Sequence, residues 1–240
     1  FMVSDHGEML GQQGARGKLV PWEESIRVPT LIYHPDLKKQ QKCESIISNI
    51  DLVPTILEFS GLDKDTIDTN YPELKGTSFA NLVENVDHKN NRDNEGHLIH
   101  GVQIIPTVFN VAEKFRHIGL ADSLIDKFKA FATKGNFLPD FSPPLNYKGV
   151  VDKRYKFIRY FSPRENNIPN TFAELSNNNA SFQLYDLLND PYEMHDISKT
   201  ENNKGLLMSM NDKLNKLTDK EIGLENHILH LPGPDWFWTT

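Results

Sequence analysis

Ser4-Asp5-His6-Gly7-Glu8 places a carboxylate and an imidazole side by side, directly after the apolar run Phe1-Met2-Val3. Within a strand, adjacent side chains point to opposite faces. At a strand's carboxyl end, where Gly7 permits a sharp turn, both can converge on one ion in the crevice where α/β sheets hold their ligands. A cap or a turn uses the same residue types, so Asp5 and His6 alone leave both readings open. Lys18, twelve positions after His6, is a compact positive charge suited to a tetrahedral anion, although a lone lysine is as a rule simply solvated.

The elements that must hold these residues follow from the apolar pattern. Up to about residue 82, short apolar runs alternate with helix-like segments, as in α/β chains. Val28-Pro29-Thr30-Leu31-Ile32-Tyr33 is nearly continuous and predicts a strand buried on both faces. Ile46 to Ile50 predicts a short strand or turn. A helix follows from near Asp51, with Pro54 in its tolerated first turn and Gly61 as a stop. The polar stretches 63–75 and 84–96 read as surface loops, and the second is the expected boundary between a unit at 1–96 and one at 97–240. In the second unit, residues 97–105 predict a strand and Leu120 to Phe131 a helix. Proline-rich 137–147 reads as irregular. Residues 150–160 and 182–187 predict antiparallel strands. A helix is expected over about 204–221, with Leu206, Met210, Leu214 and Leu217 as its apolar stripe, before an aromatic tail at Trp236 to Trp238.

Composition excludes several classes. With 240 residues, 38% hydrophobic and 25% charged, the chain can build a real core and is too apolar for a disordered protein. A net charge of −7 with scattered Lys and Arg offers no even neutralisation of phosphates, so no nucleic-acid partner is expected. No apolar run reaches the about eighteen residues of a membrane span. Cys43 is the single cysteine and has no partner for an internal disulfide. Periplasmic, secreted and cytoplasmic locations all stay compatible with it, as does a homo-oligomer.

The residues after His6 extend the motif. Gly11, Gly14, Gly17-Lys18 and Pro21-Trp22-Glu23-Glu24-Ser25-Ile26-Arg27-Val28-Pro29 follow in order. The stretch resembles the type I sulfatase pattern S-D-H-G-E-x-L-G followed by G-K-x-x-x-[YFW]-E-x-x-x-R-V-P. Further along, Asn49 to Leu57 resembles the D-[LI]-x-P-T-[LI]-L helix start of that family and Gly76-Thr77-Ser78-Phe79 its G-x-S-[FL] turn. Asp152 to Ile158 and Leu184 to Glu193 resemble its D-x-R-[YW]-K-[FY]-[IV] and L-Y-D-L-x-x-D-P-x-E strand motifs.

The resemblance implies the end of an alkaline-phosphatase-like α/β/α domain over 1–96. Over 97–240 it implies a smaller α+β domain with an antiparallel sheet and a C-terminal helix. It implies a sulfuric ester hydrolase, with Asp5 and His6 as metal ligands and Lys18 as the catalytic lysine that contacts the sulfate. The family's nucleophile, a formylglycine made in a C/S-x-P-x-R motif, is expected in a preceding part of a longer protein, because Cys43-Glu44-Ser45 does not match that motif. The chain by itself is therefore expected to be inactive. His6 stands where many members carry asparagine. Calcium prefers oxygen ligands while imidazole suits manganese, so Ca2+ and Mn2+ rank close together. The same histidine variant keeps a phosphonate monoester or phosphodiester hydrolase open, and a non-catalytic interaction domain is the alternative of another class. His97 and His100 read as one half-exposed face of a strand, with His100 a candidate substrate contact. Glu8, Glu23 and Glu24 read either as groups orienting the metal ligands or Lys18, or as surface and ion-pairing residues.

Overall fold

The computed structural model describes residues 1–35, 37, 39–102, 146–161, 168–176 and 181–223. The expected helix at 120–131, most of the proline-rich stretch and the aromatic tail lie outside the described residues.

The first unit is built of short elements. β1 (Met2–Val3) pairs antiparallel with β4 (Thr30–Leu31), and β2 (Met9–Leu10) with β3 (Arg16–Gly17). Between β3 and β4 lies the one-turn helix α1 (Glu23–Ile26). The strand expected at 28–33 is therefore shorter and more exposed than its composition suggests: Leu31 is 62% and Tyr33 83% exposed. Its described strand neighbour is the two-residue β1, and Ile32, on the other side from Leu31 and Tyr33, packs against Phe79, Leu82 and Val83.

Asp51 organises the helices that follow. A 3-10 turn at Asn49–Asp51 leads into α2 (Leu52–Phe59), where Pro54 sits in the first turn and needs no donor partner. Asp51 and Ser48 form a capping box: the Ser48 amide donates to Asp51 Oδ2 at 2.9 Å. The Thr77 amide donates to Oδ1 at 2.7 Å, drawing in the turn before α4 (Ala80–Glu84). Thr55 Oγ1 donates to the Asp51 carbonyl at 2.6 Å and accepts from the Phe79 amide at 3.0 Å. Arg92, in α5 (Arg92–Glu95), completes the hub with a two-nitrogen grip on the Asp51 carboxylate. Burial works against the Arg92 charge, but Asp51 and Glu221 outweigh it and hold its pKa above the ordinary value.

Two segments expected to be loops contain helices. Within 63–75 lies α3 (Lys64–Asn70), whose first turn is capped by Asp63 accepting from the Thr66 amide at 2.9 Å and whose Ile67 is buried. Within 84–96, α5 forms because Arg92 is pulled into the interior by Asp51. Polar composition concealed both, since capping and a buried ion pair hold polar residues in helices without an apolar stripe.

The second unit holds an antiparallel sheet in the order β5 (His97–Val102), β6 (Asn146–Val151), β7 (Tyr155–Phe161), β8 (Ser181–Asp186), with the one-turn helix α6 (Phe172–Leu175) before β8. Along β7 the side chains alternate. Phe157 and Arg159 face α7 (Lys204–Glu221), while Lys156 and Ile158 face the segment around α1. Val150, Phe157 and Leu184 meet Leu207, Met210, Leu214 and Leu217 in the main core. The buried stripe runs Leu207, Met210, Leu214, Leu217 in steps of three, four and three, and Leu206 packs at its edge, only partly buried. Ile99, Tyr147, Val151, Ile158 and Tyr185 form a second cluster on the opposite face, against Ile26 of α1. With both faces covered, β6 is buried along its whole length.

Arg92 joins the units a second time by donating to Glu221 of α7 at 2.9 Å. Removing one partner of a buried ion pair strands the other charge and costs about 3–5 kcal/mol, while losing an exposed N-cap costs about 1 kcal/mol. Asp51→Ala is therefore expected to lower the urea midpoint far more than Asp63→Ala, read by circular dichroism under the same buffer conditions.

Candidate active site

The site starts where β1 ends. Ser4 Oγ donates to the His6 carbonyl at 2.9 Å, and the His6 amide donates to Asp5 Oδ1 at 3.0 Å, which curls the backbone after Val3 into a tight turn. The Gly7 amide then donates to the Ser25 carbonyl in α1 at 2.8 Å. A side chain cannot be accommodated at this approach: a Cβ on Gly7 would lie 2.0 Å from the Glu24 carbonyl oxygen. Gly7 is thus required by contact with α1 more than by its own backbone angles.

Asp5, His6 and Lys18 are brought together. His6 Nδ1 lies 2.8 Å from the Gly7 carbonyl, an acceptor that requires the proton on Nδ1. Nε2 is then the lone-pair nitrogen, and it faces two groups: Asp5 Oδ2 at 3.3 Å and the Lys18 ammonium at 2.5 Å. The Gly7 carbonyl and the Lys18 ammonium therefore specify the same tautomer. Desolvation pushes the Asp5 carboxyl up; the His6 and Asp5 amides and the Lys18 charge outweigh it and hold it below the ordinary carboxylate value. A fixed ammonium beside an exposed carboxylate and a lone-pair nitrogen can bind an anion and a cation at adjoining positions.

The donor set suits half of a metal shell. Metal–ligand bonds of about 2.3 Å at right angles put neighbouring ligand atoms about 3.3 Å apart, which is the separation of Asp5 Oδ2 and His6 Nε2. The ammonium already on Nε2 shows that this side accepts a cation. Among the described residues no group of three His, Cys, Asp or Glu side chains forms a complete metal site.

The remaining candidates lie elsewhere. His97 and His100 are three apart on β5 and so fall on opposite faces, not on a shared one. His100 is exposed and stands opposite Lys148 of β6. Although part of His97 reaches solvent, burial pushes its imidazole down to about 4; the Glu23 carboxylate opposes this, and the Lys156 and Arg92 cations reinforce it. Glu23 is not beside Lys18. Its carboxylate pairs with the fully buried Lys156 at 2.7 Å. Glu24 keeps one carboxylate oxygen buried without a hydrogen-bond partner. Cys43 is exposed.

Three residues around the site carry no site role in the sequence reading, although Lys156 and Glu193 stand at the K and the last E of the two strand motifs. Lys156 Nζ contacts Glu193 Oε1 at 2.6 Å and donates to the Pro21 carbonyl at 3.0 Å; Glu193 Oε2 accepts from the Glu23 amide at 2.7 Å. Gln13 Nε2 donates to the carbonyls of Tyr192 and Glu193 at 2.7 and 3.1 Å. A lysine between apolar residues of a buried strand, and the motif positions of Lys156 and Glu193, were the available signals. Gln13 carries none, because its partners are main-chain atoms about 180 residues away.

The chain is similar to known proteins over part of their length. Residues 1–62 match the sulfatase family model. The ulvan-active sulfatase of Formosa agariphila is 35% identical over 95 residues, covering 38% of this chain and 17% of that protein. Of the solved structures, a complex with the substrate D-glucosamine-2-N,6-O-disulfate superposes with a TM-score of 0.56 at 18% identity, over 93% of this chain and 34% of that one. The phosphonate monoester hydrolase of Agrobacterium radiobacter gives 0.56 at 21%, over 91% and 34%. The chain thus spans about a sixth of the length of the curated relative and a third of each solved chain, and the solved structures share its fold.

The lowered His97 pKa sets a pH dependence. In the unfolded chain a histidine titrates near 6.5, so between 6.5 and about 4 the unfolded state binds the proton that the folded state refuses. Stability is fully present above 6.5 and falls as pH drops to about 4. Melting temperature should decline through this window, and His97→Gln should remove that part of the decline.

Proposed function

We propose, on the premise that residues 1–62 are part of a sulfatase-family domain, that the whole protein is a sulfuric ester hydrolase and that Asp5, His6 and Lys18 form one side of its active site. The contact of Lys18 with His6 Nε2, beside the Asp5 carboxylate, carries this reading. These residue types in this arrangement provide an anion-binding charge next to a cation-binding edge. Asp5 and His6 would hold a divalent ion, Ca2+ or Mn2+, and such an ion polarises an ester oxygen and neutralises charge on the departing group. Lys18, released from His6, would lie against the peripheral oxygens of the sulfuryl group and stabilise their charge as the ester bond breaks. Gly7 O keeps the His6 proton on Nδ1, so Nε2 stays a ligand and not a donor.

The remaining metal ligands and the formylglycine nucleophile would come from other parts of the protein, since no C/S-x-P-x-R sequence occurs in these 240 residues. A sulfate ester is the proposed substrate. His6 supports a second reading, hydrolysis of phosphonate monoesters or phosphodiesters, because an imidazole in place of asparagine favours a softer ion than calcium. A purely structural role leaves the convergence of the three polar groups on one exposed edge without a cause.

Purified whole protein assayed on an aryl sulfate and an aryl phosphonate separates the readings: faster turnover of the sulfate is expected, and a rate strongly favouring the phosphonate would overturn the first reading. Lys18→Ala should lower kcat/KM on the sulfate by about 10²–10³-fold, as removal of a charge-stabilising group does. Asp5→Ala should weaken metal binding in equilibrium dialysis.

A further inference from the structure

The loop that carries Lys18 adopts a backbone that its sequence does not favour. Among the described residues, the non-glycine positions with left-handed φ are Gln13 (52°), Leu19 (70°) and Glu193 (54°). Leu19 directly follows Lys18, Gln13 lies five residues before it, and Glu193 touches both ends of the loop. Such conformations cost of order 1–2 kcal/mol each and persist where the surroundings over-determine them. Lys18 and Leu19 are themselves exposed, so the loop's own packing does not supply that constraint.

The second unit supplies it. At the loop's first end Gln13 Nε2 donates to the Tyr192 and Glu193 carbonyls. At its second end the Pro21 carbonyl accepts from Lys156, and the Glu23 amide donates to the Glu193 carboxylate. Lys156 is fully buried between the Glu23 and Glu193 carboxylates, and Glu193 is 2% exposed. The same segment reaches the other half of the site, because Ser25, two residues past Glu23, receives the Gly7 amide that fixes the turn after His6.

We propose that Lys156, Glu193 and Gln13 are positioning residues for Asp5, His6 and Lys18: the C-terminal unit clamps both ends of the lysine loop and so sets the distance between the anion-binding and cation-binding groups. The inference rests on the reading of that site as the seat of ester hydrolysis. Ion pairs buried this deeply contribute little net stability beside apolar residues of the same shape; their contribution here is the geometry of an exposed loop that has no core of its own.

Amide hydrogen exchange on the 240-residue chain tests the clamp without reference to activity. The amides of Gly14 and Ala15 are hydrogen-bonded within the loop and report its opening. Gln13→Ala and Glu193→Gln should speed exchange over residues 14–19 at least tenfold and leave the core amides of α7 unchanged. Unchanged loop exchange in Gln13→Ala overturns the proposal. So does acceleration of the loop only together with α7, which would mark a merely global loss of stability. If Glu193→Gln fails to fold, the half-buried Gln13, which lies outside the buried ion pair, still decides the matter.

In the whole protein, Gln13→Ala should lower kcat about tenfold on an aryl sulfate when Lys18 is present and have no further effect in a Lys18→Ala background. An equal loss in both backgrounds overturns positioning. Full activity of Lys18→Ala itself would refute the assigned site, while the exchange measurement would still decide whether the clamp holds the loop.

Discussion

The ammonium of Lys156 is fully buried, and the site depends on how it is satisfied. An uncompensated buried cation would lose its proton or unfold its surroundings. Here two carboxylates and one carbonyl surround it, and they come from separate stretches of chain: Pro21 and Glu23 beside the Lys18 loop, and Glu193 after β8. The Oε1 atoms of both glutamates meet the ammonium by charge and proximity without an aligned hydrogen bond, while Glu193 Oε2 is spent on the Glu23 amide. Burial pushes the Glu193 carboxyl up, against the pull of Lys156. The charges are thus mutually dependent. None can be removed without exposing the others to a medium that does not solvate them.

This constraint explains the two-faced sheet. The face of β7 bearing Phe157 meets α7 through apolar contacts that would cost about 2–5 kcal/mol each on truncation to alanine. The face bearing Lys156 and Ile158 meets the α1 segment. One face secures the sheet, and the other uses the secured sheet to hold an exposed loop with left-handed residues. Asp51 performs the matching task for the helices of the first unit: a single carboxylate takes two main-chain amides and Arg92, and Arg92 reaches on to Glu221 of α7. Beside the apolar packing of Ile26 on the sheet, the Lys156 and Arg92 contacts are polar and buried, which favours one arrangement over others, because a shifted register would leave charges unpaired.

Polar residues misled the reading of local structure for the same reason. Residues 63–75 and 84–96 lack an apolar period, and they were expected to be loops. Their helices arise from an aspartate cap in one case and from a buried arginine in the other. At 28–33, where an apolar run predicts burial on both faces, one side is partly covered, with Ile32 against Phe79, Leu82 and Val83, while Leu31 and Tyr33 on the other stay largely exposed.

The sequence by itself determined the order of the elements, the antiparallel strands at 155–160 and 182–187, the long C-terminal helix, and the grouping of Asp5, His6 and Lys18, because apolar periodicity, glycine placement and motif spacing are local or repeat along the chain. Only the tertiary structure decided which nitrogen of His6 is free, which face of β7 meets the loop, and that Gln13, Lys156 and Glu193 hold Lys18 in place. Those facts depend on atoms far apart in the chain, and on a balance between desolvation and pairing that exists only once the units have closed on one another.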